Sequence, residues 1–95
     1  MSLEFEWDLK KAQVNEVVHG IKFEEALTVF RDPLAVIFDD EEHSEDEPRE
    51  IIIGHSVKQR LILVFFTVRA TRIRLISARK ATRRERDDYE KNVNP

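Results

Sequence analysis

Hydrophobic positions along this chain change period repeatedly, and each change marks an element. Leu3, Phe5 and Trp7 alternate with Glu4 and Glu6, the period-two pattern of a short edge strand with one buried face. Asp8 follows as an N-cap, its carboxylate placed to accept the free amides of a first helical turn. Leu9, Ala12, Val14, Val17 and Val18 recur with helical spacing, which predicts a helix from Leu9 to His19 with a broad apolar stripe. Gly20 stands where a left-handed residue closes such a helix. A second helix is predicted from about Phe23 to Phe30, with Phe23, Ala26, Leu27 and Phe30 on one face. Asp32-Pro33 stops it, because the residue before proline avoids helical backbone angles.

Beyond Pro33 the pattern turns to strands. Leu34 to Phe38 is short and apolar. Asp39 to Glu50, DDEEHSEDEPRE, contains no apolar residue and reads as an exposed, solvated acidic loop. Ile51 to Ile53 opens the next strand, which Gly54 ends or bends. Leu61 to Phe66 is a continuous apolar run, the signature of a strand buried on both faces. Arg69-Ala70-Thr71-Arg72 forms the tip of a hairpin, and in its second strand Ile73 and Leu75 oppose Arg72 and Arg74. Thr82-Arg83-Arg84-Glu85 is a capping-box pattern that begins a helix over about Arg83 to Lys91, apolar only at Tyr89. The predicted fold is α+β: an antiparallel meander with the helices on one face and an arginine-bearing face open to a ligand.

Composition sharpens this picture in two ways. The chain has 95 residues, 41% of them hydrophobic, enough for one domain, 1–95, with a single modest core. Charge is distributed unevenly: residues 1–57 hold 15 acids and 5 bases, residues 58–95 hold 4 acids and 11 bases, and the net charge is −3. The C-terminal half therefore has the electrostatics of a phosphate binder. With no cysteine, disulfides, thiolate metal sites and a thiol nucleophile are excluded. The N-terminus lacks the charge and apolar pattern of a signal peptide, and no apolar run is long enough to span a bilayer. A cytoplasmic protein is the expectation.

The candidate chemistry centres on the arginines. Guanidinium groups present a fixed fork of donors that matches phosphate, so Arg72, Arg74 and Arg79 suit stabilisation of charge on a phosphate, with Arg49, Arg69 and Ser77 adding substrate contacts. Strict alternation puts Arg79 on the face opposite Arg72 and Arg74. A bulge near Ser77-Ala78, or a strand end there, is needed to bring all three together. His19 is the best candidate acid or base, since an unperturbed imidazole titrates near neutrality; placed in the last turn of a helix, it also suits the helix dipole. Tyr89 is suited either to stacking on a base or to anchoring the last helix. His43 and His55 read as solvated surface residues, and the acidic loop lacks the spacing of a calcium site.

The ordered set Trp7-Asp8, Asn15, His19-Gly20, Phe23-Glu24-Glu25-Ala26, Val29-Phe30, Asp32-Pro33, His43-Ser44, Ile53-Gly54, Ser56 and Arg72-Ile73-Arg74-Leu75-Ile76-Ser77-Ala78-Arg79 resembles the BrnT toxin family over roughly Phe5 to Tyr89. The resemblance implies a RelE-like fold, a small antiparallel sheet packed by two N-terminal helices with a polar C-terminal helix. It implies a metal-independent endoribonuclease of a bacterial type II toxin–antitoxin system, with no cofactor and RNA as substrate. It also implies neutralisation by a BrnA-like antitoxin, a toxin–antitoxin heterotetramer, and operator DNA binding only by that complex. Val18 and Phe66 stand where the family commonly has a lysine and a histidine, and Ala70-Thr71 where it has glycine. These departures motivate an alternative: a toxin-fold module that binds antitoxin and contributes to operator repression without cleaving RNA.

Overall fold

The computed structural model describes residues 4–43 and 47–93, so Leu3 of the predicted first strand lies outside it. Strand β1 (Glu4–Glu6) leads into helix α1 (Leu9–His19). A short helix α2 (Phe23–Ala26) tightens into a 3₁₀ turn at Leu27–Arg31. Strand β2 (Val36–Asp39) and a second 3₁₀ turn (Glu41–His43) precede β3 (Glu50–His55), β4 (Leu61–Arg69) and β5 (Arg72–Lys80). Helix α3 (Arg83–Val93) ends the described chain. The strands form one five-stranded sheet in the order β1-β5-β4-β3-β2. Neighbours β2 to β5 are antiparallel, whereas β1 lies parallel to β5 with Phe5 beside Ile73. The sheet is therefore mixed, not wholly antiparallel.

Two apolar clusters sandwich the sheet. On one face Ile52, Ile62, Val64, Phe66, Ile73, Leu75 and Ala78 pack against Ile21, Phe23, Ala26 and Val29. Edge-to-face ring pairs tie Phe30 to Phe5 and Phe66, at 5.1 and 5.0 Å, a geometry that aromatic quadrupoles favour. On the other face Ile51, Ile53, Leu61 and Leu63 gather around Tyr89 of α3. The face expected to be open is thus partly covered by α3, and only its hairpin end stays clear of that helix.

Helix α1 departs from its predicted packing. Asp8 caps it as expected, accepting from the Lys10 and Lys11 amides at 2.8 and 3.1 Å, and Gly20 closes it at φ 70°. Yet Leu9, Val14, Val17 and Val18 are between 55% and 85% exposed. The buried residue of the helix is polar: Asn15. Strand β1 pairs only with Arg72 to Arg74, which leaves the rest of the β5 edge open. The Asn15 side chain donates to the Ala78 carbonyl at 2.9 Å and accepts from the Ala78 amide at 3.0 Å. It thereby pairs both backbone groups of Ala78 as a neighbouring strand would. A second donation, to Ile21 at 3.0 Å, holds the chain leaving α1. Hydrogen bonding to an edge, rather than an apolar stripe, places this helix.

Two further polar knots set the frame. Glu25 accepts from Ser56 Oγ at 2.7 Å and from Arg60 Nε at 2.9 Å, with a second guanidinium contact through Arg60 Nη2. The Arg60 hydrogen bonds hold the Glu25 carboxyl below its ordinary range against the opposing effect of burial. Asp32 accepts from the Leu34 amide at 2.9 Å and the His55 amide at 2.8 Å, so the residue before proline ties the turn to β3. This approach explains Gly54, one residue before the strand ends at His55: a Cβ there would stand 2.8 Å from the Ala35 Cβ. Within the acidic segment Asp40 is buried, not solvated, and its amide donates to the Arg49 carbonyl at 2.9 Å.

Candidate functional site

Strand β5 carries the candidate residues, and a register shift decides which of them share a face. Arg72 pairs with Arg69 and Arg74 with Thr67, but beyond them Leu75 pairs with Phe66 while Ser77 pairs with Phe65. Ile76 is the extra residue of a bulge. One extra residue inverts the alternation of every side chain after it. Ala78 consequently joins Ile73 and Leu75 in the helix-side core, and Ser77 and Arg79 join Arg72 and Arg74 on the opposite face. The bulge that sequence alternation required is present, one residue earlier than expected, and the strand runs on to Lys80. At ~3.3 Å per residue, Arg72 and Arg79 stand about 20 Å apart. They line a track rather than converge on one point.

Every arginine on this track faces a carboxylate. Arg72 Nε lies 3.2 Å from Glu4 and Arg74 Nη1 3.2 Å from Glu6, the two polar residues of β1. Arg69 is held by Glu47 at 2.8 Å. Hydrogen bonding to Glu47 raises the Arg69 pKa, and the same bond lowers that of Glu47. The exposed pairs of Arg72 and Arg69 are worth about 0–1 kcal/mol, whereas Arg74 and Glu6 are half-buried. Arg79 is held more firmly. Its guanidinium forms a two-pronged pair with Glu85 at 2.7 and 2.8 Å and lies over the Phe65 ring, 5.7 Å from its centroid. Glu85 also accepts from the Thr82 amide at 2.8 Å, and Thr82 Oγ1 accepts from the Glu85 amide at 3.2 Å. The predicted capping box is therefore also the clamp on Arg79. Hydrogen bonding to Arg79, reinforced by the Thr82 amide, pulls the Glu85 carboxyl down to about 2 despite its partial burial.

The remaining candidates fall around this track. Ser77 lies beside Phe65 on the arginine face and also lines a groove with His19, Lys10 and Lys11 between α1 and the β5 edge. His19 is exposed at the end of α1, on the wall of that same groove. Arg49 stands just before β3 and acts with Arg69 on the Glu47 carboxylate. Tyr89 is buried at 4% exposure. Its ring meets His55 edge-on at 5.7 Å, and its hydroxyl donates to the Leu34 carbonyl at 3.4 Å, so it fastens α3 to the sheet. His55, read from sequence as solvated, is half-buried, with its Nδ1 3.9 Å from Asp32.

Sequence reasoning missed the partners of the arginines, although Glu4 and Glu6 stand at the same spacing as Arg72 and Arg74. It also missed the pairing of Asn15 with Ala78, which a lone asparagine between Val14 and Val17-Val18 could have signalled.

The fold is that of a small ribonuclease toxin: the crystal structure of the Brucella abortus ribonuclease toxin BrnT superposes with a TM-score of 0.66 at 24% identity, covering 86% of this chain and 100% of that one. The family model for the BrnT ribonuclease toxin of type II toxin–antitoxin systems matches residues 7–85, and the chain belongs to that family. No curated protein matches it. Membership makes the protein a ribonuclease toxin, with RNA as its substrate and an antitoxin as its partner. Among the described residues no helix is long and apolar enough to cross a membrane.

Proposed function

We propose that the protein is a metal-independent endoribonuclease whose arginine track on β4 and β5 holds the RNA backbone, and that a BrnA-like antitoxin neutralises it. The bulge at Ile76 carries the reading, because it alone puts Arg79 on the face of Arg72 and Arg74. In this mechanism Arg72 and Arg74 exchange Glu4 and Glu6 for phosphates, with Arg49, Arg69 and Ser77 as further contacts. The 2′-hydroxyl oxygen attacks the adjacent phosphorus and the bond to the 5′-oxygen of the next nucleotide breaks, leaving a cyclic phosphate and a 5′-hydroxyl. Arg79 stabilises charge on the phosphate as it develops. His19, reached past Ser77 at the β5 edge, moves the proton between attacking and leaving oxygens. Base stacking on Tyr89 is not part of this reading, since that ring is occupied by His55. The complex with the antitoxin is a heterotetramer, and operator DNA is bound by that complex alone. The chain is a single domain acting in the cytoplasm.

The test is cleavage of a defined RNA by the purified protein in EDTA, alone and with its antitoxin. Activity in EDTA, inhibition by the antitoxin and a loss of about a hundredfold or more in Arg79→Ala support the mechanism. Full activity in folded Arg79→Ala removes Arg79 from it. One observation favours a second reading, a module that binds antitoxin without cleaving: all four strand arginines are already paired with carboxylates. Tight antitoxin binding by folded protein that cleaves no RNA, with or without ribosomes, selects that reading.

A further inference from the structure

Apart from Arg79 at its border, the β2 side of the sheet holds features that RNA cleavage does not use. Phe38 is 44% exposed. Phe38 forms one lip of a groove of about 500 Å³, whose floor is Ile51, Leu63 and Phe65. A smaller hollow of about 150 Å³ continues from it against Val36, Ile53 and Tyr89. Around the larger groove stand four solvent-reaching carboxylates, Asp39, Glu41, Glu42 and Glu85, together with the buried Asp40 and the guanidinium of Arg79. Arg79 is itself bound to Glu85. Asp88 extends the acidic wall along α3.

Away from Arg79, which stands at the boundary with the arginine track, such a surface repels a phosphate backbone through its carboxylate rim. Its chemistry suits a protein segment: large apolar side chains seat against Phe38 and the floor, and flanking cations meet the carboxylate rim. We propose that this groove is the docking site of the antitoxin, engaged by a segment in which one or two large apolar residues are flanked by lysine or arginine. The proposal rests on the reading that a protein antitoxin neutralises this chain. It also explains how docking silences the arginine track. Arg79 and Glu85 line the same groove, so a cation of the incoming segment competes for Glu85 while the segment itself covers Arg79. Neutralisation then requires no contact with Arg72 or Arg74 at the far end of the track.

The probe is the antitoxin encoded beside the toxin gene, titrated calorimetrically against the full chain. Phe38→Glu and the double variant Glu41→Lys, Glu42→Lys change exposed side chains, and circular dichroism checks that both remain folded. Each is expected to weaken binding about tenfold or more, while Val17→Glu on the exposed face of α1 leaves it unchanged. Reversing the cations of the antitoxin segment is expected to restore binding to the double lysine variant. Wild-type affinity in both groove variants overturns the proposal, as does loss of affinity in Val17→Glu alone or the absence of binding by the wild-type chain. Sedimentation showing that Phe38 instead joins two copies of this chain overturns it too. RNA cleavage by the same variants without antitoxin is the independent arm. Unchanged cleavage supports the proposal, and lost cleavage would put RNA in the groove. If no form cleaves RNA, the ribonuclease reading fails while the order of affinities still decides the docking site.

Discussion

Replacing Glu85 with glutamine isolates the charge in the clamp on Arg79. Glutamine can still serve in a capping box, so the start of α3 keeps its local hydrogen bonds while the guanidinium loses an ionised partner. The Glu85 carboxyl is drawn from its ordinary 4.5 to about 2, chiefly by its hydrogen bonds to Arg79. At about 1.36 kcal/mol per pH unit, the upper bound on the linked stability is ~3 kcal/mol. The two side chains are 30% and 33% exposed, and solvent screening at that exposure reduces the expected loss to about 1–2 kcal/mol. For a domain of this size that is a fall in Tm of roughly 4–16 °C at pH 7. The sign follows from a depressed folded-state pKa. The contribution is full above 4.5, the unfolded value, and disappears as pH falls through about 2, because only then does the folded state also take up the proton. Thermal melts of wild type and Glu85→Gln at matched pH read the gap directly. The gap should be widest at pH 7 and close progressively between pH 5 and 2. A gap that stays constant across this range, or no gap at pH 7, would refute the assignment of the clamp to charge.

Other substitutions probe the frame that holds the track. Gly54→Ala places a methyl 2.8 Å from the Ala35 Cβ and 3.0 Å from Asp32 Oδ2, and urea denaturation should show a loss of about 1–3 kcal/mol. Asn15→Leu removes the side-chain pairing of the Ala78 amide and carbonyl at 3.0 and 2.9 Å. It should cost about 2–4 kcal/mol in the same assay and speed exchange of the Ala78 amide hydrogen. Ala70, at φ 53°, holds a left-handed conformation that glycine adopts without strain. Ala70→Gly should raise stability by up to about 1 kcal/mol, the relieved strain exceeding the entropy added to the unfolded chain.

Much of the fold was legible because local rules agreed with the tertiary result. Asp8, Gly20 and Thr82-Glu85 marked helix ends that the structure reproduces, and the unbroken apolar run Leu61 to Phe66 is buried except at the partly exposed Phe65. The failures lie where distant pairing overrides local pattern. The valines of α1 have the spacing of a core face, yet Asn15 turns the helix to the open β5 edge and leaves them outside. Phe23 to Phe30 reads as one helix, but it tightens to 3₁₀ geometry at Leu27 on the way to the Asp32 turn. The basic strand was legible as a phosphate-competent face. Its neutralisation was not, because the register of β1 against β5 joins residues 68 positions apart, and no local signal sets that register.

The bulge at Ile76 makes β5 two half-strands in opposite phase, and its single extra residue works as a frame marker. Evening out the bulge with every residue kept would not shorten the arginine track; it would turn the strand's far half over. Arg79 would swing into the apolar layer behind the sheet, Ala78 would take its place above Phe65, and Asn15 would face a shifted backbone. Deleting Ile76 itself would instead leave an evenly paired strand with Ser77 and Arg79 still on the face of Arg72 and Arg74. The side of the sheet that carries the clamp is therefore set by the irregular pairing at position 76 and not by the side chain there.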